Sequence, residues 1–249
     1  MPNPLGPSIF ITGANRGLGL AFVKELVKQE QVTLIFAACR NPDQADALNA
    51  LAKKHPAIQV LKMDVSNDSE IAGAVKLVKD KLGDRGLYVL FNNAAILTET
   101  GAEYIKPDRK ILEQHMSINL VSPIMVTDAF LSLLRKESSA DKPSLVVNIS
   151  SDNGSIQDAM TMGTAWGNIA YGITKAGLNM YTRYLGSGEK YNNIVAVSVH
   201  PGWLRTDMGT PDAPDSVEHG AEAVIETLSK LSIKDNGRYI NNRGRDMRF

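Results

Sequence analysis

Short apolar runs recur along this chain, and most are separated by stretches whose apolar residues return at helical spacing. Ser8-Ile9-Phe10-Ile11 predicts a buried strand, and Leu20, Val23, Leu26 and Val27 predict the helix behind it. Thr33 to Cys39 predicts a second strand, and Asp43 to Lys54 a helix with Leu48 and Leu51 turned inward. Ile58 to Val65 alternates as a third strand, followed by a helix from Ser69 to Leu82 that buries Ile71, Val75 and Val78. Leu87 to Phe91 is a fourth strand, and Pro107 to about Ser138 reads as one long helix. Pro143 to Ser151, a helix from Asn168 to about Glu189, and Asn193 to Val199 continue the alternation. A helix from Ser216 to Leu231 and an edge strand from Gly237 to Asn241 close it. Strand followed by helix, almost throughout, predicts an α/β fold: one domain over residues 1–249, built on a doubly wound parallel β-sheet with helices on both faces.

Chemistry enters first between the first strand and the first helix, at Thr12-Gly13-Ala14-Asn15-Arg16-Gly17-Leu18-Gly19. Glycines in a strand–turn–helix context let backbone approach a pyrophosphate, and the helix N-terminus offers unpaired N–H groups and the positive end of its dipole. The second strand ends at Arg40, with no acid among Ala37, Ala38, Cys39 and Arg40. An acid there would bond a ribose 2′-OH, whereas Arg suits a 2′-phosphate, and Arg16 can approach the same region. The pair favours NADP over NAD. Asp64 reads either as a cap for the following helix or as an acceptor for an adenine amino group. Asn92-Asn93-Ala94-Ala95 ends the fourth strand with side chains able to lock the sheet while backbone faces a ligand.

The second constellation runs from Val147 to Ala176. Tyr171 and Lys175 lie four residues apart in a helix, so phenol and ammonium share a face. Ser150-Ser151, at the end of the fifth strand, can address the same point, giving a proton-donating site. In the long helix, Pro123 lacks the N–H that would bond the Asn119 carbonyl. The helix should bend there, leaving that carbonyl free to hold a water, or with a kink of no chemical role. His200-Pro201-Gly202-Trp203-Leu204-Arg205-Thr206 directs backbone and Thr206 across the mouth of the sheet, and Thr210 to Asp215 reads as a mobile Pro-rich flap. His200 reads as a packed, hydrogen-bonded residue rather than a catalytic imidazole, and Cys39 as a small buried hydrophobe. The basic tail Arg243–Phe249 reads as solvated or as a subunit contact.

Composition narrows the function classes. Lys+Arg and Asp+Glu both number 27, so no basic field exists to hold nucleic acid or an anionic membrane. Apolar runs fall short of a membrane span, no signal-peptide pattern opens the chain, and the single cysteine fits a reducing compartment; the expected location is cytoplasmic. No metal site is expected.

TGANRGLG at Thr12, NNAA at Asn92, Asn119, Ser151, Tyr171-Gly172-Ile173-Thr174-Lys175 and Pro201-Gly202 together resemble the short-chain dehydrogenase/reductase family, in its order and over essentially the whole chain. ACRNP at Ala38, SSDNGSI and HPGWLRTDMG look closest to its sniffer-like carbonyl reductases and the bacterial C-factor proteins. The resemblance implies a Rossmann-like fold and NADPH-dependent reduction of an aldehyde or ketone to an alcohol. It makes Tyr171 the general acid, with Lys175 also holding the nicotinamide ribose. Ser151, through the Ser-x-x-Gly match at Gly154, would orient the substrate oxygen, with Ser150 the alternative, and Asn119 would support a water relay. Lowering a phenol pKa from about 10 by roughly 3 units takes about 4 kcal/mol. An ammonium at about 4 Å, together with the positive ring of the oxidised cofactor, can supply that.

Gly13, Asn15, Arg16, Gly17, Leu18, Gly19, Arg40, Asp64, Val65, Asn92, Ala94, Leu204 and Thr206 match cofactor-contact positions, with Pro201 and Gly202 in the same turn. Two departures stand out: Ala95 replaces the usual glycine, and the Ser151–Tyr171 gap is long. The extra residues Thr161 to Trp166 are expected beside the substrate pocket, with Trp166 and Trp203 as candidate walls; substrate-side elements fall near 152–168 and 204–216. The two long helices are expected to pair between subunits in a homodimer or homotetramer. Two alternatives stay open: an NADP-sensing regulatory protein with incidental turnover, and an NAD-dependent alcohol dehydrogenase.

Overall fold

A computed structural model of the chain describes residues 4–139, 141–161, 168–188 and 192–249. Its organising element is a seven-stranded sheet in the order β3-β2-β1-β4-β5-β6-β9, parallel at every described pairing. The strands are β1 (Ser8–Thr12), β2 (Leu34–Cys39), β3 (Ile58–Lys62), β4 (Val89–Asn92), β5 (Ser144–Ile149), β6 (Ile194–His200) and β9 (Tyr239–Asn241). A second, two-stranded sheet pairs β7 (Leu204–Arg205) with β8 (Asp215–Ser216). Strand order reverses between β1 and β4, and the crevice beyond the carboxyl ends of such strands is where an open α/β sheet binds ligands.

Both faces of the sheet are buried, which is why its central strands read as continuous apolar runs rather than alternating ones. Ile9 and Ile11 of β1 join the core beneath α1 (Gly17–Leu26), α2 (Asp46–Lys54) and α7 (Val217–Leu228). Phe10 points the other way, into the core beneath α3 (Asp68–Leu82), α5 (Ser122–Glu137) and α6 (Ile169–Ser187). Its ring lies 4.4 Å from that of Phe130 on α5, and burying such a side chain contributes about 3 kcal/mol.

The long helix is not uniform. It begins at α4 (Arg109–Met116), capped by Asp108, passes through a π-helical turn at Ser117–Val121, and resumes as α5. Pro123 sits in the first turn of α5, where its missing N–H costs little. The expected bend is thus realised as a widened turn, and Ser122 Oγ donates to the Ser117 carbonyl at 2.9 Å across it. By length and composition alone, Arg109–Glu137 is long and apolar enough to cross a membrane, contrary to the expectation that apolar runs fall short. Its inward residues Val126, Phe130, Leu133 and Leu134 are nevertheless packed into the core.

The third strand stops at Lys62 instead of reaching Val65. Asp64 accepts from Ser66 N and Oγ at 2.9 and 2.7 Å and its own N–H is held by Glu70, so the chain turns there. The helix cap expected of Asp64 is supplied by Asn67, which accepts from Ser69 and Glu70 N–H. The segment from Asp246 to Phe249 doubles back on β9 through an Ile240–Asp246 bridge and a Met247 N–H bond to the Tyr239 carbonyl, with Asp246, Arg248 and Phe249 left exposed.

Candidate active site

At the carboxyl end of β1 the backbone turns through Gly13 at φ 67°, a conformation L side chains rarely adopt. Gly19, one turn into α1, is needed for a different reason: a Cβ there would collide with the Gly13 carbonyl and come within 2.6 Å of Asn93 Nδ2. That Asn93 amide donates to the Thr12 and Gly13 carbonyls at 2.9 and 3.2 Å, while Thr12 Oγ1 accepts from Asn93 and Ala94 N–H at 3.0 Å. Sequence-distant strand ends are therefore locked side by side, with Ala94 backbone against the glycine loop. Helix α1 starts at Arg16 with no side-chain cap and no acid in its first turn. Its N-terminal N–H groups thus face the crevice with the positive end of the dipole uncompensated. Asn15 is half-buried in the same loop, and Leu18 turns into the core beneath it.

Arg40 is exposed at the end of β2, on the side of β1 away from β4. Burial alone would raise the Asp64 carboxyl, but the Ser66 bonds and nearby Arg40 outweigh it and hold it below its ordinary value. Val65 is a core residue under α3. Arg16 is paired across the crevice with Asp207 at 3.0 Å, both side chains exposed, a contact worth about 0–1 kcal/mol. Asp207 carries no sequence signal; the two residues are 191 positions apart.

The loop after β6 carries bonds of its own. Arg205 Nη1 donates to the Ala213 and Pro214 carbonyls at 2.8 and 2.7 Å, and the Trp203 indole donates to the Gly209 carbonyl. Leu204 packs on α7 at Gly220, so its side chain faces away from the crevice, and Pro201 is held through its carbonyl by Asn242. Gly202 turns the chain at φ 101°. Thr206 Cγ2 lies 3.8 Å from where a Cβ of Gly17 would be, opposite the glycine loop. Trp166 lies outside the described residues, as do residues 162–167 generally.

The proton-donating constellation assembles where β5 ends. Ser150 turns inward and donates to Asn179 at 2.7 Å; Ser151 is the serine whose hydroxyl meets Tyr171, and it also donates to Asp152 at 2.8 Å. Helix α6 is started by Asn168, whose Oδ1 accepts from Tyr171 N–H at 2.9 Å and whose amide donates to the Thr98 carbonyl at 2.7 Å. Lys175, one turn on, is 2% exposed; its Nζ donates to the Ile149 carbonyl at 2.7 Å and lies 5.2 Å from the Tyr171 ring centre.

Asn119, in the π turn, is buried. Its side chain bridges Ile96 N–H and carbonyl, both at 2.8 Å, and reaches Thr174 Oγ1 at 3.3 Å, which in turn donates to the Tyr171 carbonyl. It therefore fastens α6 to the loop after β4 between Tyr171 and Lys175. Asn92 sits one layer down, donating to Thr127 and Asn148 at 3.0 and 2.8 Å, so its side chain faces the core rather than the crevice.

Electrostatics depart from expectation. Burial holds the Tyr171 phenol above its ordinary value, the Asp152 carboxylate adds to this, and the Ser151 bond offsets part of it. Burial pushes Lys175 down to about 7. In the chain alone, then, Lys175 does not lower Tyr171, because both groups are stripped of water by the same packing. Asp152, adjacent to Ser151 and missed in the sequence, is the charge that acts on Tyr171. His200 accepts from Asp152 N–H at 3.2 Å; burial lowers its pKa despite that carboxylate, so it sits as a neutral packed residue. Among the described residues no three His, Cys, Asp or Glu side chains gather as a metal site.

The chain that carries this site is similar to known proteins over nearly its whole length. The family model described as short chain dehydrogenase matches residues 7–216. An NADPH-bound carbonyl reductase from chicken fatty liver is similar at 33% identity and TM-score 0.92, over 98% of this chain and 99% of that one. The carbonyl reductase Sniffer of D. melanogaster is similar at 36% identity and TM-score 0.90, over 98% and 100%. An uncharacterized oxidoreductase of Schizosaccharomyces pombe is 31% identical over 224 residues, 90% of this chain and 83% of the relative.

Proposed function

Because this chain belongs to the short-chain dehydrogenase family and is an oxidoreductase of its carbonyl reductase type, we propose that it reduces an aldehyde or ketone to an alcohol with NADPH, Tyr171 giving the proton. The observation that carries this reading is the meeting of Ser151, Tyr171 and Lys175 in one buried volume at the mouth of the switch-point crevice. Ser151 orients the substrate oxygen. Tyr171 transfers its phenolic proton to that oxygen as the carbonyl carbon is reduced. Bound NADPH supplies the hydride. Lys175 steadies the phenolate left on Tyr171, and the proton is replaced through a water held at the Asn119 carbonyl.

The crevice fits that cofactor: a glycine loop that a Cβ would obstruct, an uncapped helix N-terminus, and two arginines with no acid at the ribose position. Gly13, Asn15, Arg16, Gly17, Leu18 and Gly19 would hold the pyrophosphate, Arg16 and Arg40 the 2′-phosphate, and Asp64 and Val65 the adenine. Asn92, Ala94, Pro201, Gly202, Leu204 and Thr206 would approach the nicotinamide half, mainly through backbone. The reading places the substrate between 152–168 and 204–216. It includes a cytoplasmic location and a homodimer or homotetramer through α5 and α6, whose Met125, Ile173, Met180 and Tyr184 are exposed.

Substituting Tyr171→Phe tests it. NADPH affinity should persist while carbonyl turnover falls by about 10²–10⁴-fold or more, and NADPH should bind more tightly than NADH. Full turnover in that variant would sink the mechanism, and tighter NADH binding would move the chain to the NAD-dependent alternative.

A further inference from the structure

Ser151 is held at its carbonyl as well as at its hydroxyl. Tyr239, 1% exposed, donates its phenol to the Ser151 carbonyl at 2.5 Å. The Tyr239 ring packs 5.6 Å from that of Phe249, and the Arg183 guanidinium of α6 lies 5.5 Å from the same Phe249 ring. Phe249 then reaches the segment after Ser151: its carbonyl accepts from Gln157 N–H at 2.9 Å. Beside it, Arg248 lies 3.5 Å from Asp158, and the Asp158 carboxylate accepts from Ser155 Oγ at 3.2 Å. Arg238 fixes the base of this arm through Asp246 at 2.7 Å.

Residues 246–249 and 155–158 are thus joined by a main-chain bond, an ion pair and, through Tyr239, a link to Ser151 itself. The joined segment enters the long Ser151–Tyr171 connection and carries two exposed apolar side chains, Ile156 and Met160. Chemistry at Tyr171 does not require the contacts between Phe249 or Arg248 and residues 155–158. A substrate wall does, because an unsupported loop of exposed apolar residues has no fixed shape against which to select.

We propose that Phe249 is a positioning residue for the carbonyl substrate: it holds residues 155–161 as an apolar wall next to Ser151, favouring aldehydes and ketones with apolar substituents. This rests on the reductase reading above, and the test separates the two. Phe249→Ala and the conservative Phe249→Tyr would be compared with wild type on a series of aldehydes and ketones running from small to bulky and apolar, at saturating NADPH. For Phe249→Ala, KM for the bulky members should rise roughly tenfold, while kcat for the smallest aldehyde and NADPH affinity stay within about twofold. Phe249→Tyr should restore the wild-type profile. Hydrogen exchange at the Gln157 amide should speed by roughly tenfold in Phe249→Ala with the core strands unchanged.

An unchanged KM series, or a loss equal across all substrates and NADPH, would overturn the proposal. If wild type reduces no carbonyl with NADPH, the reductase reading fails on its own account. The Gln157 amide then decides whether Phe249 positions the segment at all, unchanged protection overturning it.

Discussion

Lys175 is where folding and chemistry pull against each other. Its ammonium is buried against the Ile149 carbonyl, and burial pushes its pKa from 10.5 to about 7. Between those values the unfolded chain keeps a proton that the folded chain has released, so the unfolded state binds more protons and stability rises with pH. The destabilising contribution is fully present below about pH 7 and is relieved as pH climbs toward 10.5. The slope from this one group is at most about 1.4 kcal/mol per pH unit. His200, lowered by burial, adds a rise in the acid range; Tyr171, raised, works in the opposite sense above its ordinary value of 10. In cofactor-free protein, Lys175→Met should flatten the climb of Tm between pH 7 and 9, measured by thermal unfolding at several pH values. Parallel curves for the two proteins would refute the assignment of that climb to Lys175.

Between β1 and α1 the glycine turn works by close approach. Gly19→Ala would drive a methyl into the Gly13 carbonyl and the Asn93 amide, so the loop or the helix must move. The expected cost is about 1–3 kcal/mol of stability, read from the denaturant midpoint, together with weaker NADPH binding by titration. Wild-type affinity in that variant would mean the approach does not shape the cradle. Elements of this kind were legible in the sequence, because strand and helix periods are local and Tyr171 and Lys175 are one turn apart on one face. The π turn was half legible: Pro123 announces an interruption, but nothing local says that the interruption widens the turn. Asp207 facing Arg16 and Tyr239 facing Ser151 were not legible at all. Those pairs are 191 and 88 residues apart, and their meeting is fixed by sheet order rather than by any period. The cap expected of Asp64 went the same way, because Asn67, three residues on, supplies it.

Across the whole molecule a row of buried polar side chains runs under the site. Thr127 of α5, Asn92 of β4, Asn148 of β5, Thr182 of α6 and Ser198 of β6 are linked in sequence by bonds of 2.8–3.0 Å. Asn148→Ala would remove one bond each from Asn92, which keeps Thr127, and from Thr182, which keeps Ser198 and the Leu178 carbonyl, at about 0.5–1.5 kcal/mol per bond. For a chain of this size that lowers Tm by roughly 5–10 °C, with calorimetry the direct check; an unchanged Tm would mean the row is not needed for stability. The row also bears on how the sheet finds its alignment. Asn92 stands opposite Asn148, and Asn148 opposite Ser198, in neighbouring parallel strands. A strand that paired one position out would throw its amide or hydroxyl onto the opposite face, among aliphatic side chains with nothing to bond. Mispaired sheets are therefore penalised by polarity once helices close over them. Since Asn93 and Ser150-Ser151 follow one to three residues beyond the same row, this proofreading of register also delivers the glycine-loop lock and the site serine to the same rim.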